Sequence, residues 1–273
     1  MMSKCAFLMS SCDSYGDTWD MFYQLVAKYW PDCPLPMYLN TETAPYSPPG
    51  GLKLTVCNTR KDIPWGERMI RVLDMIPEKY VLLVLDDFFL QAPVDGQAID
   101  ALVERMEADE SIGSFQLKAS RWAQEGSRPI PVTDELHYAP LTDGWYTHFV
   151  PTIWRKETLR KWLRRHESIW GFELYGSHRA GRWHYKEKVL VVDSPVIYDY
   201  VWVDGCSAIV NGKWVDSPVI DEFVRQNGVD IDLDRRGRIS IAEYRSRTMK
   251  DTLKRLSFFE IVRRVFNRMR SFF

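Results

Sequence analysis

The most pronounced feature of the hydrophobic pattern is one continuous apolar run that ends in two acids. Residues 80–85 read Tyr-Val-Leu-Leu-Val-Leu, which predicts a strand buried on both faces in a parallel or mixed sheet. Asp86 and Asp87 follow directly. Carboxylates at the carboxyl end of a central strand lie where open α/β sheets bind ligands, and they suit Mg²⁺ or Mn²⁺ bridging a diphosphate. The alternative is that these acids only end the strand and cap the next turn.

Shorter strand and helix patterns alternate on both sides of this run. Strand-like segments occur at 4–9, 36–40, 52–57, 112–117 and 189–192. Helices are predicted at 17–28, at 69–76 and 94–109, where apolar residues keep helical spacing, and at 156–165, which is short and basic. The alternation predicts an α/β fold with a central mixed sheet flanked by helices. Asn211-Gly212 predicts a hairpin turn, and the polar, proline-containing stretch 118–142 predicts a long loop.

The last residues of the chain show a different pattern. Between residues 258 and 273, the apolar residues fall on one arc of a helical wheel and four arginines fall outside it. This is typical of a basic amphipathic helix that lies on an anionic membrane surface. A terminal helix packed on the domain or on a partner is the alternative. We therefore expect one α/β domain at 1–245 and a C-terminal amphipathic helix at 246–273.

Composition and charge narrow the classes of function. The 273 residues include 36 Lys and Arg and 37 Asp and Glu, so no overall basic charge indicates binding to nucleic acid. Five scattered cysteines without a CxxC pair favour a reducing compartment and no structural zinc. We find no signal-peptide pattern and no apolar run of the roughly 18 residues that a membrane span needs. The expected location is cytoplasmic.

A second candidate for chemistry lies near residue 170. Trp170-Gly171 comes shortly before Glu173, which would place a carboxylate beside an aromatic ring in a pocket opened by glycine. Activating a sugar hydroxyl requires such a pair, a base for the proton and a flat ring for the apolar face of the sugar. The alternative is that Trp170 and Phe172 belong to the core and Glu173 is an acid favoured at a helix start.

In combination, these segments resemble bacterial glycosyltransferases of the GT-A fold that build capsules, exopolysaccharides or lipopolysaccharide O-chains. The likeness rests on residues 11–13, 29–34, 38–40, 81–90, 153–157, 170–173 and 212–214. It implies a GT-A-like α/β domain that transfers a sugar from a nucleotide-sugar donor, held through Mn²⁺ or Mg²⁺, to a saccharide acceptor. With the basic tail, the acceptor is expected to be lipid-linked and presented at the inner face of the cytoplasmic membrane.

The resemblance assigns the metal and the acceptor side to particular residues. The metal-binding acids of the family correspond to Asp86 and Asp87, which are adjacent here, whereas the common pattern is Asp-any-Asp. Because neighbouring side chains on a strand point to opposite faces, Asp87 is expected to ligate the metal and Asp86 to face the ribose or sugar. Glu173 corresponds to the catalytic base of inverting members, and Trp170 would line the acceptor site. Inversion is the expected outcome, and retention stays open.

The resemblance also places the donor pocket at the ends of the first strands. It points to Ser11 and Asp13 there, with Asp62 and Trp65 as further donor-binding candidates and Asp86 on the sugar side.

Two other classes of function stay open at this point. Metal-dependent phosphoryl transfer or hydrolysis also uses acids at strand ends, although residues 10–13 lack the Asp-any-Asp of aspartate-nucleophile phosphatases. A non-catalytic, membrane-associated carbohydrate-binding protein would explain the aromatic residues and the tail. It would not explain two acids after the most apolar strand.

Overall fold

The computed structural model describes residues 4–117, 137–140, 147–177, 179, 187–194 and 196–246. The chain divides into two units, the first ending at Tyr200 and the second beginning at Val201. The sequence did not predict this boundary. The predicted amphipathic helix at 246–273 lies outside the described residues except for its first position, so it stays a prediction, and so does the boundary after residue 245.

The first unit is built on a mixed sheet of eight strands. They are β1 (Cys5–Ser10), β2 (Met37–Thr41), β3 (Leu54–Asn58), β4 (Tyr80–Leu85), β5 (Ile112–Leu117), β6 (His137–Pro140), β7 (Thr152–Arg155) and β8 (Lys188–Ser194). Their order in the sheet is β3-β2-β1-β4-β7-β5-β8-β6. β1 to β4 run parallel to one another, and the order also contains two antiparallel strands, β7 and β6.

Alternate residues of a strand point to opposite faces of the sheet. Since the central strands carry apolar residues on both faces, helices cover both faces of this sheet. The helices are α1 (Trp19–Tyr29), α2 (Trp65–Met75), α3 (Gly96–Ala108) and α4 (Lys156–Trp162). On one face, Ala6 and Leu8 of β1 share a core cluster with residues of α2 and α4. On the other face, Phe7 packs against Phe22 of α1. The predicted α/β class with a central mixed sheet flanked by helices is confirmed.

Two local predictions differ from the structure. The stretch predicted as a loop at 118–142 contains β6, which is the last strand in the sheet order of the described residues and pairs there with β8. An edge strand is specified mainly by backbone pairing, so its side chains need not alternate. The helix predicted at 156–165 ends at Trp162, because Leu163 already has an extended backbone with ψ 146°.

The second unit contains small sheets and one longer helix. β9 (Trp202–Val203) pairs with β10 (Cys206–Ser207), and β12 (Lys213–Val215) lies between β11 (Ile209–Val210) and β13 (Arg238–Ile239). The predicted turn at Asn211-Gly212 is confirmed, since both residues have the positive φ, 51° and 75°, that this hairpin turn requires. The helix Pro218–Asn227 completes the unit.

None of the helices in the described part of the chain combines the length and the apolarity needed to cross a bilayer.

Candidate functional site

Three of the predicted site residues lie at the carboxyl edge of the parallel strands. β2 and β3 lie on one side of β1, and the strands from β4 onward lie on the other. Ligands of open α/β sheets bind in the crevice where the strand order reverses in this way. Ser11 directly follows β1, and Asp86 and Asp87 directly follow β4. The two strand ends that flank the crevice therefore carry three of the predicted residues.

A hydrogen-bond chain joins the two sides of this crevice. The Ser11 hydroxyl donates to Oδ2 of Asp86, and the indole Nε1 of Trp19 donates to the Ser11 hydroxyl over 2.8 Å. Ser11 and Asp86 are both buried, so the orientation of the Asp86 carboxylate is fixed. Asp87 is half-buried. Burial raises the pKa of Tyr200, and the negative charge of Asp87 adds to the rise.

Asp13 anchors the loop that follows β2. Its carboxylate accepts hydrogen bonds from the Thr41 hydroxyl at 2.8 Å, the Thr43 hydroxyl at 2.6 Å and the backbone amides of residues 42–44. Burial alone would raise the pKa of Asp13, but these hydrogen bonds outweigh it and hold the pKa well below its usual range. The structure therefore shows Asp13 positioning a loop at the crevice, and its contact with a donor stays a prediction.

Arg68 is a residue of this region that sequence reasoning missed. Its side chain is 8% exposed, and its Nη1 lies 3.5 Å from Oε1 of Glu42. Nε and Nη1 have no hydrogen-bond acceptor among the described residues. Buried polar groups are normally hydrogen-bonded, so a bound anion would supply the acceptors that Nε and Nη1 lack. One signal was present, because Arg68 comes three residues after Trp65 and four before Val72, on the buried face of α2.

The two remaining donor candidates lie in different surroundings. Trp65 is buried, donates from Nε1 to the Ser10 hydroxyl over 3.0 Å, and packs its ring against Phe149 at 5.6 Å. It therefore connects the end of β1 to the segment before β7. Asp62 is exposed and forms an ion pair of 2.6 Å with Arg60. Trp65 therefore lies in the core next to the end of β1, whereas Asp62 lies on the surface.

Glu173 lies on a short helical segment, 169–177, that includes a π-helical turn at Phe172–Gly176. Its Oε1 accepts a hydrogen bond of 3.1 Å from the Phe149 amide and lies 3.5 Å from Nε2 of His148. π-helical turns occur frequently at functional sites. His148 is a second residue that the sequence did not single out, since it follows no recognisable motif.

Trp170 and Phe172 have opposite environments. Trp170 is 70% exposed, and Leu174, one turn later, is 41% exposed. The alternative in which Trp170 belongs to the core is therefore wrong, whereas Phe172 is indeed a core residue, at 1% exposure. An exposed indole close to Glu173 along the chain is available to an external ligand, and its contact with an acceptor stays a prediction.

The acids at the end of β4 suit one kind of metal site. Among the described residues, no group of three or more His, Cys, Asp and Glu side chains is arranged to hold a metal ion. In enzymes that bind phosphorylated substrates, the protein usually supplies only one or two carboxylates to Mg²⁺, because substrate phosphates and water complete the coordination. Asp86 and Asp87 can supply that part. A metal here would depend on the donor phosphates for its remaining ligands.

Comparisons with known proteins give distant structural similarity and no sequence match. No protein-family model matches the chain, and no curated protein matches it. S. aureus TarS 1-349 in complex with UDP aligns over 86% of this chain and 68% of that chain, with 13% identity and a TM-score of 0.48. The chain spans only 41% of a longer TarS structure.

Two other solved structures align at a similar distance. CMP:2-keto-3-deoxy-manno-octonic acid synthetase complexed with CTP aligns over 82% of this chain and 98% of that chain, with 12% identity and a TM-score of 0.44. The galactosyltransferase LgtC, in complex with donor and acceptor sugar analogs, aligns over 64% of each chain, with 10% identity and a TM-score of 0.36. Similarity at these values carries no argument about activity, so the chemistry rests on the site itself.

Proposed function

We propose that the first unit is a glycosyltransferase that moves a sugar from a nucleotide-sugar donor to a saccharide acceptor in the synthesis of a bacterial surface polysaccharide. The observation that carries this proposal is the crevice between β1 and β4. There, two acids follow β4, and near Glu42, after the neighbouring β2, Nε and Nη1 of the buried Arg68 have no hydrogen-bond acceptor among the described residues. A diphosphate linked to a sugar is a ligand that would use both the acids, through a metal, and the guanidinium.

The residues of the crevice would divide the work on the donor. Asp87 and Asp86 would hold a divalent cation, and Ser11 fixes the Asp86 carboxylate through its hydroxyl. Bound Mn²⁺ or Mg²⁺ would supply positive charge against the negative charge of the leaving diphosphate. Arg68 would donate hydrogen bonds to the anionic part of the donor. Charge placed in advance where negative charge develops is an effective way to lower a barrier.

The 169–177 segment would serve the acceptor. Glu173 would take part in removing the proton from the acceptor hydroxyl. The exposed Trp170 ring offers a flat surface for a sugar. Attack from the side opposite the leaving group would invert the anomeric configuration. We further propose a lipid-linked saccharide as acceptor, reached at an anionic membrane surface through the basic tail.

A thermal-shift panel tests the donor side of this proposal. UDP, GDP, dTDP, CDP and CMP would each be added with Mn²⁺ or with EDTA, since a ligand that binds only the native state raises the melting temperature. We expect one nucleotide to raise it in a metal-dependent manner, and Arg68→Met to reduce that rise. Arg160→Met, which removes a surface ion pair with Asp74, should leave the rise unchanged. No rise with any nucleotide would contradict the proposal.

A further inference from the structure

The segment before β7 runs past the end of β4. β4 and β7 are antiparallel, and their last paired residues at this edge are Leu83 and Thr152. The chain continues from Leu83 towards Asp86 and Asp87, and it enters β7 from His148 and Phe149. His148 therefore lies at the same edge of the sheet as the two acids, although 61 residues separate it from Asp87 along the chain.

The same segment is fastened to the 169–177 helical segment by buried hydrogen bonds. The Thr147 hydroxyl lies 2.9 Å from the carbonyl oxygens of Phe172 and Glu173, and its amide donates to the Ser177 hydroxyl over 3.0 Å. A Cβ at Gly176 would lie 2.9 Å from the Thr147 hydroxyl oxygen, so the Thr147 side chain packs directly against the helical segment at this glycine. These contacts of Thr147 fix the segment that carries His148 relative to the segment that carries Glu173.

The Glu173 carboxylate is mostly shielded from solvent and contacts groups of the segment before β7. Its Oε1 accepts from the Phe149 amide and lies in ion-pair range of His148 Nε2, and its side chain is 16% exposed. The carboxylate is therefore already engaged by the Phe149 amide and faces the imidazole. An imidazole oriented by a carboxylate through one ring nitrogen can act as a base through its other ring nitrogen.

We propose that His148 is a catalytic residue of the transferase and that Glu173 is its positioning residue. This inference rests on the proposed function and changes the assignment of the base within it. Glu173 keeps the proton on Nε2, so the other ring nitrogen receives the proton of the acceptor hydroxyl. The acceptor oxygen forms the new bond to the anomeric carbon, and the bond from that carbon to the phosphate oxygen breaks. The nucleoside diphosphate leaves with the bonding electron pair.

The acid next to the imidazole agrees with this role. Glu173 faces it from the helical segment, with Oε1 3.5 Å from Nε2, so its negative charge would stabilise the imidazolium formed during the reaction. Asp86 and Asp87 follow the neighbouring strand at the same edge of the sheet, and in the proposed function their charge serves the divalent cation.

Chemical rescue tests the inference. Nucleotide release would be measured with UDP-glucose, UDP-galactose, UDP-N-acetylglucosamine, GDP-mannose and dTDP-rhamnose, against methyl glycosides of glucose, galactose and N-acetylglucosamine. We expect His148→Gly to lower kcat by about 10²- to 10⁴-fold, the usual contribution of a general base, and added imidazole to restore part of it. Glu173→Gln should lower kcat and alter the pH profile with little change in KM for the donor.

The controls separate this inference from the function on which it rests. His166→Gly removes an exposed histidine and should neither lose activity nor respond to imidazole. Full activity of His148→Gly, or a loss that imidazole does not restore, would overturn the role of His148 and leave the transferase proposal standing. Absence of nucleotide release by the wild-type protein with every pair would overturn both.

Discussion

Arg155 is a buried charge whose role is structural. It ends β7 at the edge of the sheet opposite the crevice, and its guanidinium donates to the carbonyl oxygens of Met106 at 2.6 Å and Ile112 at 3.2 Å. Nη1 also donates to the Tyr80 hydroxyl. Because α3 ends at Ala108, this cation satisfies carbonyl groups that the last turn of the helix leaves open. Arg155 thus differs from Arg68, whose Nε and Nη1 have no hydrogen-bond acceptor among the described residues.

We predict that Arg155→Met destabilises the protein by about 2–4 kcal/mol, because buried carbonyl groups lose charged hydrogen-bond donors. Urea unfolding followed by circular dichroism would measure the change. Arg160→Met breaks an exposed ion pair with Asp74 and should cost less than about 1 kcal/mol. Equal effects of the two substitutions would refute the structural role of Arg155.

At the scale of elements, the loop after β2 depends on one ionised side chain. The hydrogen bonds to Asp13 favour its charged form and keep its pKa below the unfolded value of about 4. The stabilisation is therefore complete well above pH 4 and is lost as the pH falls through the folded pKa. We predict that Asp13→Asn is less stable than the wild type at pH 7, and that the difference narrows towards pH 3. Urea midpoints at pH 7, 4 and 3 would show this, and a difference independent of pH would contradict it.

The contact between α2 and the chain before the 169–177 segment leaves no space for a side chain. A Cβ on Gly66 would lie 2.1 Å from the carbonyl oxygen of Arg164, and the Gly66 amide donates to the carbonyl oxygen of Glu167 over 2.9 Å. Glu167 forms a buried ion pair of 2.6 Å with Arg179. Movement of the 164–167 backbone would therefore disturb the support of the helical segment that carries Glu173.

We predict that Gly66→Ala costs about 1–3 kcal/mol of stability or more, as overpacking does, and that it lowers transfer activity as well. Gly16→Ala is the matched control, since its Cβ would meet the Trp19 ring at an ordinary 3.7 Å. Thermal unfolding and nucleotide release of both variants would be compared. A Gly66→Ala protein as stable and active as Gly16→Ala would contradict the packing described for this contact.

The sheet could be predicted from sequence because its central strands carry their own signal. β4 is apolar at every position and β1 nearly so, and buried parallel strands require this. The boundary between the units at residues 200 and 201 carries no such signal. β6 was not predicted because its short sequence carries no hydrophobic pattern of its own, and its position depends on pairing with β8.

The site was predictable only in part, because its residues come from separate segments. Ser11 and Asp86 follow predicted strands, so the crevice where they meet could be anticipated. Arg68 and His148 are single residues without a motif, and only the packing of α2 and the register of β7 bring them to the site. Sequence patterns locate strand ends better than the side chains that reach them from elsewhere.

At the scale of the whole molecule, the sequence of the tail predicts that the protein binds an anionic membrane surface. Residues 258–273 combine a continuous apolar arc with four arginines, so we expect anionic lipid vesicles to bind the full chain and to release a variant without residues 252–273. Co-sedimentation with vesicles of phosphatidylglycerol and phosphatidylcholine would measure this. A variant with the four arginines changed to glutamine separates the charge contribution from the apolar one. Unchanged binding of the truncated chain would refute the membrane role.

The release of nucleoside diphosphate from nucleotide sugars tests the central claim most directly. The wild-type protein, Asp87→Ala and the surface control Asp74→Ala would be incubated with the donor and acceptor panel in the presence of Mn²⁺. We predict release from one donor class by the wild type and by Asp74→Ala, and none by a folded Asp87→Ala. Full activity of Asp87→Ala, or the release of inorganic phosphate in place of the nucleoside diphosphate, would contradict the proposed glycosyl transfer at this crevice.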